Sequence, residues 1–145
     1  MAYKYSTEIG ENCAKAVGLA LDISTKQSVM ICDMLRNKPL PKAKIILEQV
    51  IKKKHAVPFI RFKRDVGHKP GIAAGRYPAK ACSQILKLLK SAEANAQFKG
   101  LSTANLVIRH IIAQKGAKAM RYGRLHRRAK RTHIEVVLEE VKPKK

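Results

Sequence analysis

The sequence predicts an α+β fold: a small domain of three helices packed on a short antiparallel sheet, with a long protruding β-hairpin. Three observations predict it. Three segments carry apolar residues at helical spacing, two segments near the C-terminus are rich in β-branched residues, and a strongly basic stretch separates those two. That stretch, QKGAKAMRYGRLHRRAKRTH at 114 to 133, holds eight Lys or Arg and no acidic side chain.

The elements follow in chain order. The segment from Ala14 to Asp22 reads as a short strand. Ser24 followed by Gln27 reads as a capping box that opens a helix, with Met30, Ile31, Met34 and Leu35 on its apolar face and Asn37 and Pro39 ending it. Pro41 at a first helical position opens the second helix, in which Ala43, Ile46, Leu47, Val50 and Ile51 recur at helical spacing. The two helices are expected to pack together, with the Met pair filling core.

From Lys52 to Pro78 the periodicity fails. Pro58, Pro70 and Pro78 alternate with Gly67, Gly71 and Gly75 among many cations, the composition of an irregular loop, and 54 to 78 reads as a basic insertion. So long a structureless segment in a compact domain marks function or disorder. Interleaved Phe59, Phe62 and Tyr77 favour function, because rings among cations can stack on unpaired bases. The alternative for Phe59 and Phe62 is that they pin the loop to the core.

A third helix follows Pro78, with Ala81, Cys82, Ile85, Leu86, Leu89, Ala92 and Ala96 along one face and Gly100 as its stop. NLVIRHII at 105 to 112 and THIEVVLEEV at 132 to 141 read as strands, the second alternating Ile134, Val136 and Leu138 against Glu135, Val137 and Glu139. Joined, they make a hairpin arm over 105 to 140, with sides of ~18 residues and a length of roughly 50 to 60 Å at ~3.3 Å per residue. Only its base is expected to touch the domain. A two-stranded ribbon is marginal in water, so a partner must enclose this one.

The chain, 1 to 145, reads as a single domain with a formal charge of +21, divided as +2 over 1 to 50, +10 over 51 to 100 and +9 over 101 to 145. A charge that large calls for a polyanion, and the 46% apolar share argues for a folded protein, not a basic tail. Within the arm, Lys115, Lys118, Arg121, Arg124, Arg127 and Lys130 recur every third residue, a period that matches neither strand nor helix. Phosphates lying in several directions, as folded RNA presents them, account for it.

Other classes are disfavoured. Cys13, Cys32 and Cys82 are odd in number and unpaired in spacing, which reads as small core residues in a reducing compartment. The N-terminus has no apolar targeting core, no run approaches the ~20 apolar residues of a membrane span, and aromatic anchors for a membrane surface are few. A cytoplasmic protein is expected. No carboxylate pair suits acid and base work, and His55, His68, His110, His126 and His133 fall at no metal-ligand spacing. His126 and His133 could act as acid and base on RNA, but in an arm that cannot bury them they read as polar contacts. GHKPGIAAGR lacks the Lys-Ser or Lys-Thr of a P-loop, and its glycines read as points of close backbone approach. No catalysis, metal or cofactor is expected.

Several motifs carry a resemblance. VPF at 57 to 59, GH at 67 and 68, AGRYPAKA at 74 to 81 and LKSAEANA within LKLLKSAEANAQFKGL at 86 to 101 are specific, and the match runs from AKAVGLALDISTKQ at 14 to the final HIEVVLEE. The chain resembles the universal large-subunit ribosomal protein family called L-twenty-two in bacterial naming and L-seventeen in eukaryotic naming, in its archaeal and eukaryotic branch. The resemblance implies a non-enzymatic protein that binds large-subunit ribosomal RNA, supports its assembly, neighbours other ribosomal proteins, and lines the peptide exit tunnel with its hairpin. By the same resemblance, Lys26, Lys63, Arg64, His68, Lys69 and Arg76 belong to a globular RNA-facing surface. Lys115, Lys118, Arg121, Arg124, Arg127, Arg128, Lys130 and Arg131 follow the arm, and a tip at Met120, Tyr122 and Gly123 approaches the nascent chain. The family's usual tip carries Pro-Arg-Ala before Gly-Arg, and MRYGR here keeps only Gly123 and Arg124. The alternative that charge alone supports is a general basic nucleic-acid-binding protein outside the ribosome.

Overall fold

The structure, a computed structural model, describes residues 3–8, 10–62 and 64–141. The first strand, β1, runs over Cys13–Leu21 and pairs antiparallel with the last, β6 (Thr132–Glu140), from Cys13 opposite Glu139 to Leu21 opposite Thr132. Its register shifts between Gly18 and Leu21, where Ala20 takes φ 51°.

Helix α1 (Thr25–Leu35) opens after Ser24 as expected, but the capping box does not form. Ser24 makes no side-chain cap bond, while the buried hydroxyl of Ser28 donates to the Ser24 carbonyl at 3.0 Å and Thr25 turns toward β6, its Oγ1 2.9 Å from that of Thr132. Met30, Ile31 and Leu35 are buried and Met34 packs at the margin of the core.

Helix α2 (Leu40–Ile51) carries Pro41 in its first turn. The expected packing of α1 on α2 does not occur. Helix α1 lies on β5 (Leu106–Lys115), and α2 lies on α3 (Ala79–Phe98). The link between them accounts for the separation: the Asn37 N–H donates to the Ile108 carbonyl at 2.9 Å and the Ile108 N–H to that of Lys38 at 3.0 Å, so the link is tied to β5 before α2 begins. An ion pair between Lys44 and Glu93 fastens α2 to α3.

The segment expected to be irregular holds a small three-stranded antiparallel sheet in the order β2 (Val57–Pro58), β4 (Ala73–Arg76), β3 (His68–Lys69). Gly71, at φ 72°, supplies the turn between β3 and β4. Gly75 is needed for close approach, because a Cβ there would lie 2.9 Å from the Lys69 side chain and 3.4 Å from that of Ala56. Strands of two to four residues are too short to display a period, and Pro58 is tolerated because β2 is an edge.

Helix α3 ends as expected. The Gly100 N–H donates to the Gln97 carbonyl and the Leu101 N–H to that of Ala96, with Gly100 at φ 75°, a Schellman closure. Its buried face is Ala81, Cys82, Ile85, Leu88, Leu89, Ala92 and Ala96, with Leu86 at the margin.

The hairpin differs most from expectation. Regular pairing of β5 with β6 runs from Leu106 opposite Glu140 to Lys115 opposite Thr132, and β6 is the central strand of the order β1-β6-β5. Half of the ribbon expected to protrude is therefore core sheet. Both faces of β6 are covered, so Glu135 and Val137, each 1% exposed, are enclosed like Ile134, Val136 and Leu138. Beyond the sheet only a few links hold the two sides of the arm: Gly116 N–H to Arg131 carbonyl, Ala129 N–H to Ala119 carbonyl and Arg121 N–H to Arg127 carbonyl, at 2.8 to 2.9 Å. A short 3-10 turn at Gly123–Leu125 and His126 at φ 40° close it.

One buried apolar cluster joins the three helices, the main sheet and the insertion, through Ile31, Leu47, Val57, Ile85, Ile108 and Ile134 among others. All three cysteines are buried and free, as expected of core residues. No helix among the described residues is long and apolar enough to cross a membrane.

Candidate nucleic-acid interface

The arm leaves the sheet through a fixed root. At the β1 bulge the Ala20 N–H donates to His133 Nδ1 at 3.1 Å, and Arg131 donates to the Ala20 carbonyl at 3.2 Å. Only an imidazole with Nδ1 unprotonated can accept that bond. Gly116 passes so close that a Cβ would lie 3.0 Å from His133 Nε2 and 3.1 Å from the Arg131 Cβ.

Past this root, Lys115, Lys118, Arg121, Arg124, Arg127, Arg128 and Lys130 are exposed and Arg131 is half-buried. None of the eight is in an ion pair among the described residues, whose pairs are Arg36–Asp33, Lys44–Glu93, Lys80–Asp22, Arg109–Glu139 and His110–Glu135. The arm's charge thus has no carboxylate partner among the described residues.

The arm does not stand clear of the body. A cleft of about 520 Å³ brings Lys115, Lys118, Lys130 and Arg131 opposite Lys26 and Arg76, with no carboxylate in its lining. Its floor contains Phe59 and Phe62. Phe59 is 3% exposed and Phe62 half-buried, so of the two readings the core-pinning one holds for Phe59. The rings serve as platforms for cations: Arg76 lies 5.9 Å over Phe59, and Lys26 and Arg61 lie 5.6 and 5.4 Å over Phe62.

A second cleft of about 420 Å³ adjoins it, where Arg121, Arg127 and Arg128 meet Asp22 and Lys80. The outer arm therefore lies back over the start of α1 and α3, contrary to the expectation that only its base meets the domain. Asp22 pairs with Lys80 at 2.6 Å, and this bond, the Lys80 charge, and those of Arg131 and Arg121 hold its carboxyl below the usual range. Between the two clefts stands the first turn of α1, whose Thr25, Lys26 and Gln27 amides precede the first intrahelical bond and add partial positive charge.

The remaining expected residues are more scattered. Lys69 lies 5.6 Å over Tyr77 and lines, with Arg76, an open hollow beside β4. Arg64 gives its Nε–H to the Ile60 carbonyl at 2.6 Å, and His68 is exposed; neither lines a cleft with the arm. Lys63 lies outside the described residues. At the tip, Met120 and Gly123 are exposed, Tyr122 is 98% exposed, and Gly123 takes φ 79°. Sequence reasoning missed Lys80, Arg61 and Asp22. Lys80 sits inside the AGRYPAKA motif, the one signal that pointed to it, whereas Asp22 reaches the arm only through tertiary folding.

This arrangement gathers positive charge in two adjoining clefts. Among the described residues no group of His, Cys, Asp or Glu is placed to hold a metal. Burial pushes the thiols of Cys32 and Cys82 up to about 12, which removes them as nucleophiles. His133 is engaged by the backbone of Ala20.

Comparison with known proteins gives a consistent result. The family described as ribosomal protein L22p/L17e matches residues 16–139. The large ribosomal subunit protein uL22 of Thermoplasma acidophilum is 49% identical over 118 residues, covering 81% of this chain and 78% of that protein. That of Archaeoglobus fulgidus is 46% identical over 123 residues (83% and 79%), and that of Methanosphaera stadtmanae 43% over 147 (95% and 96%).

Proposed function

The chain belongs to the ribosomal protein L22p/L17e family, and from that premise we propose that it works as a structural, non-catalytic constituent of the large ribosomal subunit by binding ribosomal RNA. The observation that carries the RNA reading is the arm. Its eight cations have no ion pair among the described residues, and seven of them share clefts with Lys26, Arg76 or Lys80 of the body, an arrangement that costs repulsion unless phosphates fill it. Phosphate contacts position a protein on RNA without reading sequence, which suits a part that fixes RNA segments during assembly.

In this proposal Lys26, Lys63, Arg64, His68, Lys69, Arg76 and the arm cations from Lys115 to Arg131 take the phosphates. The arm becomes part of the tunnel wall, and Met120, Tyr122 and Gly123 at its tip approach the nascent chain. The protein then resides in cytoplasmic ribosomes, beside neighbouring ribosomal proteins at the tunnel exit. Sucrose-gradient fractionation tests the premise: the protein is expected in the large-subunit peak after a moderate salt wash, and recovery only in soluble fractions would overturn it.

A further inference from the structure

The larger cleft has two walls of different origin. Lys26 stands in the first turn of α1 and Arg76 at the end of β4, while Lys115, Lys118, Lys130 and Arg131 belong to the arm. With no carboxylate among the described residues of the lining, like charges share a space of about 520 Å³ with no counter-charge between them. The neighbouring cleft is different, because there Asp22 stands among the cations and pairs with Lys80. Positive charge on both walls calls for an anion that enters the space instead of lying across its mouth.

The shape of the partner follows. An RNA duplex offers its phosphates on a convex outer surface and is met from one side, whereas a single strand is slender enough to be gripped from two. Phe62, half-buried in the cleft lining, is its aromatic platform and already carries Lys26 and Arg61 at 5.6 and 5.4 Å over its ring. A cationic groove with an aromatic platform is the combination by which proteins hold single strands. Resting on the reading of the protein as a binder of ribosomal RNA, we propose that this cleft holds one unpaired RNA strand, whose phosphates bridge the two walls and tie the arm to the body. The RNA thereby holds the arm beyond its root against the body.

The test uses the purified full chain, a uridylate strand of about ten nucleotides, and an RNA duplex of equal length. The variant Lys26→Gln with Arg76→Gln is expected to weaken binding of the strand about tenfold and to lower its salt slope by about 1.4, at about 0.7 for each phosphate no longer neutralised. Duplex binding should change by less than about threefold, since the arm's outer cations remain. Lys26→Gln alone, at an exposed position, should show a smaller loss of the same kind and guards against a folding effect at Arg76. The comparison variant Arg124→Gln with Arg128→Gln should weaken both RNAs alike. If the cleft variant lowers strand and duplex by one common factor, the cleft is ordinary basic surface and the proposal is overturned. If the unaltered protein binds neither RNA at physiological salt, it is the RNA-binding reading itself that fails.

Discussion

Glu135 shows what one side chain decides. Enclosed on β6, it accepts hydrogen bonds from the Tyr3 hydroxyl at 2.6 Å, from the Ser6 N–H and hydroxyl at 3.0 and 2.8 Å, and from Gln114 at 2.7 Å, with His110 3.8 Å away. Burial alone would raise its carboxyl, but the bonds from Tyr3 and Ser6, with the His110 charge, outweigh burial and hold it below the usual range. Burial and the same bond push the Tyr3 hydroxyl up to about 12. The signs follow by linkage. A depressed carboxyl contributes stability above its unfolded value and loses it as pH falls through the folded one, while a raised phenol contributes below about 10 and loses it toward about 12. The clasp of residues 3 to 6 on the sheet should therefore hold across the neutral range and release at both extremes. Glu135→Gln should cost about 1 to 3 kcal/mol by denaturant unfolding at neutral pH and flatten the acid limb. A variant as stable as the parent, with the same acid limb, would contradict this. The sequence could not show the role: alternation along β6 assigned Glu135 to the face opposite the core, and the segment that covers that face returns from 129 residues away.

At the scale of elements, legibility followed length. Helix α3 and strands β5 and β6 were readable because roughly ten to twenty residues display a period, and Gly100 marked the helix end through its left-handed backbone. The insertion was misread because β2 and β3 have two residues each and are defined by partners, not by pattern. Packing of α1 on α2 rested on adjacency in the chain, which the link that pairs with β5 overrules. The root of the arm belongs to this scale as well. Gly116→Ala places a methyl against the His133 ring and the Arg131 backbone, which lies 3.2 Å from the added carbon, and the Ala20 bonds hold both neighbours in place. We expect a loss of about 1 to 3 kcal/mol, read as a lower melting temperature together with faster amide exchange at Ala20. Unchanged melting and exchange would mean that the root is looser than its contacts indicate.

For the whole molecule, the charge excess was legible from composition. The shape of the interface was not. The arm is shorter than its sequence suggested, because half of the ribbon is built into the sheet, and its cations converge with Lys26, Arg76 and Lys80 across the start of α1. That convergence depends on where two strands and two helices end in space, which no local pattern records. The stability of the parts should differ accordingly. The body has a continuous buried core, whereas residues 117 to 130 are held by few backbone bonds and face their own repulsion. Amide hydrogen exchange on the free protein and on its complex with large-subunit ribosomal RNA tests the central claim, that RNA completes the arm. The account predicts rapid exchange from 117 to 130 in the free protein beside protected helices, and slowing by a factor of about ten or more in the complex, where the phosphates hold the arm. An arm protected as well as α3 without RNA, or one left unprotected when RNA is bound, would contradict it.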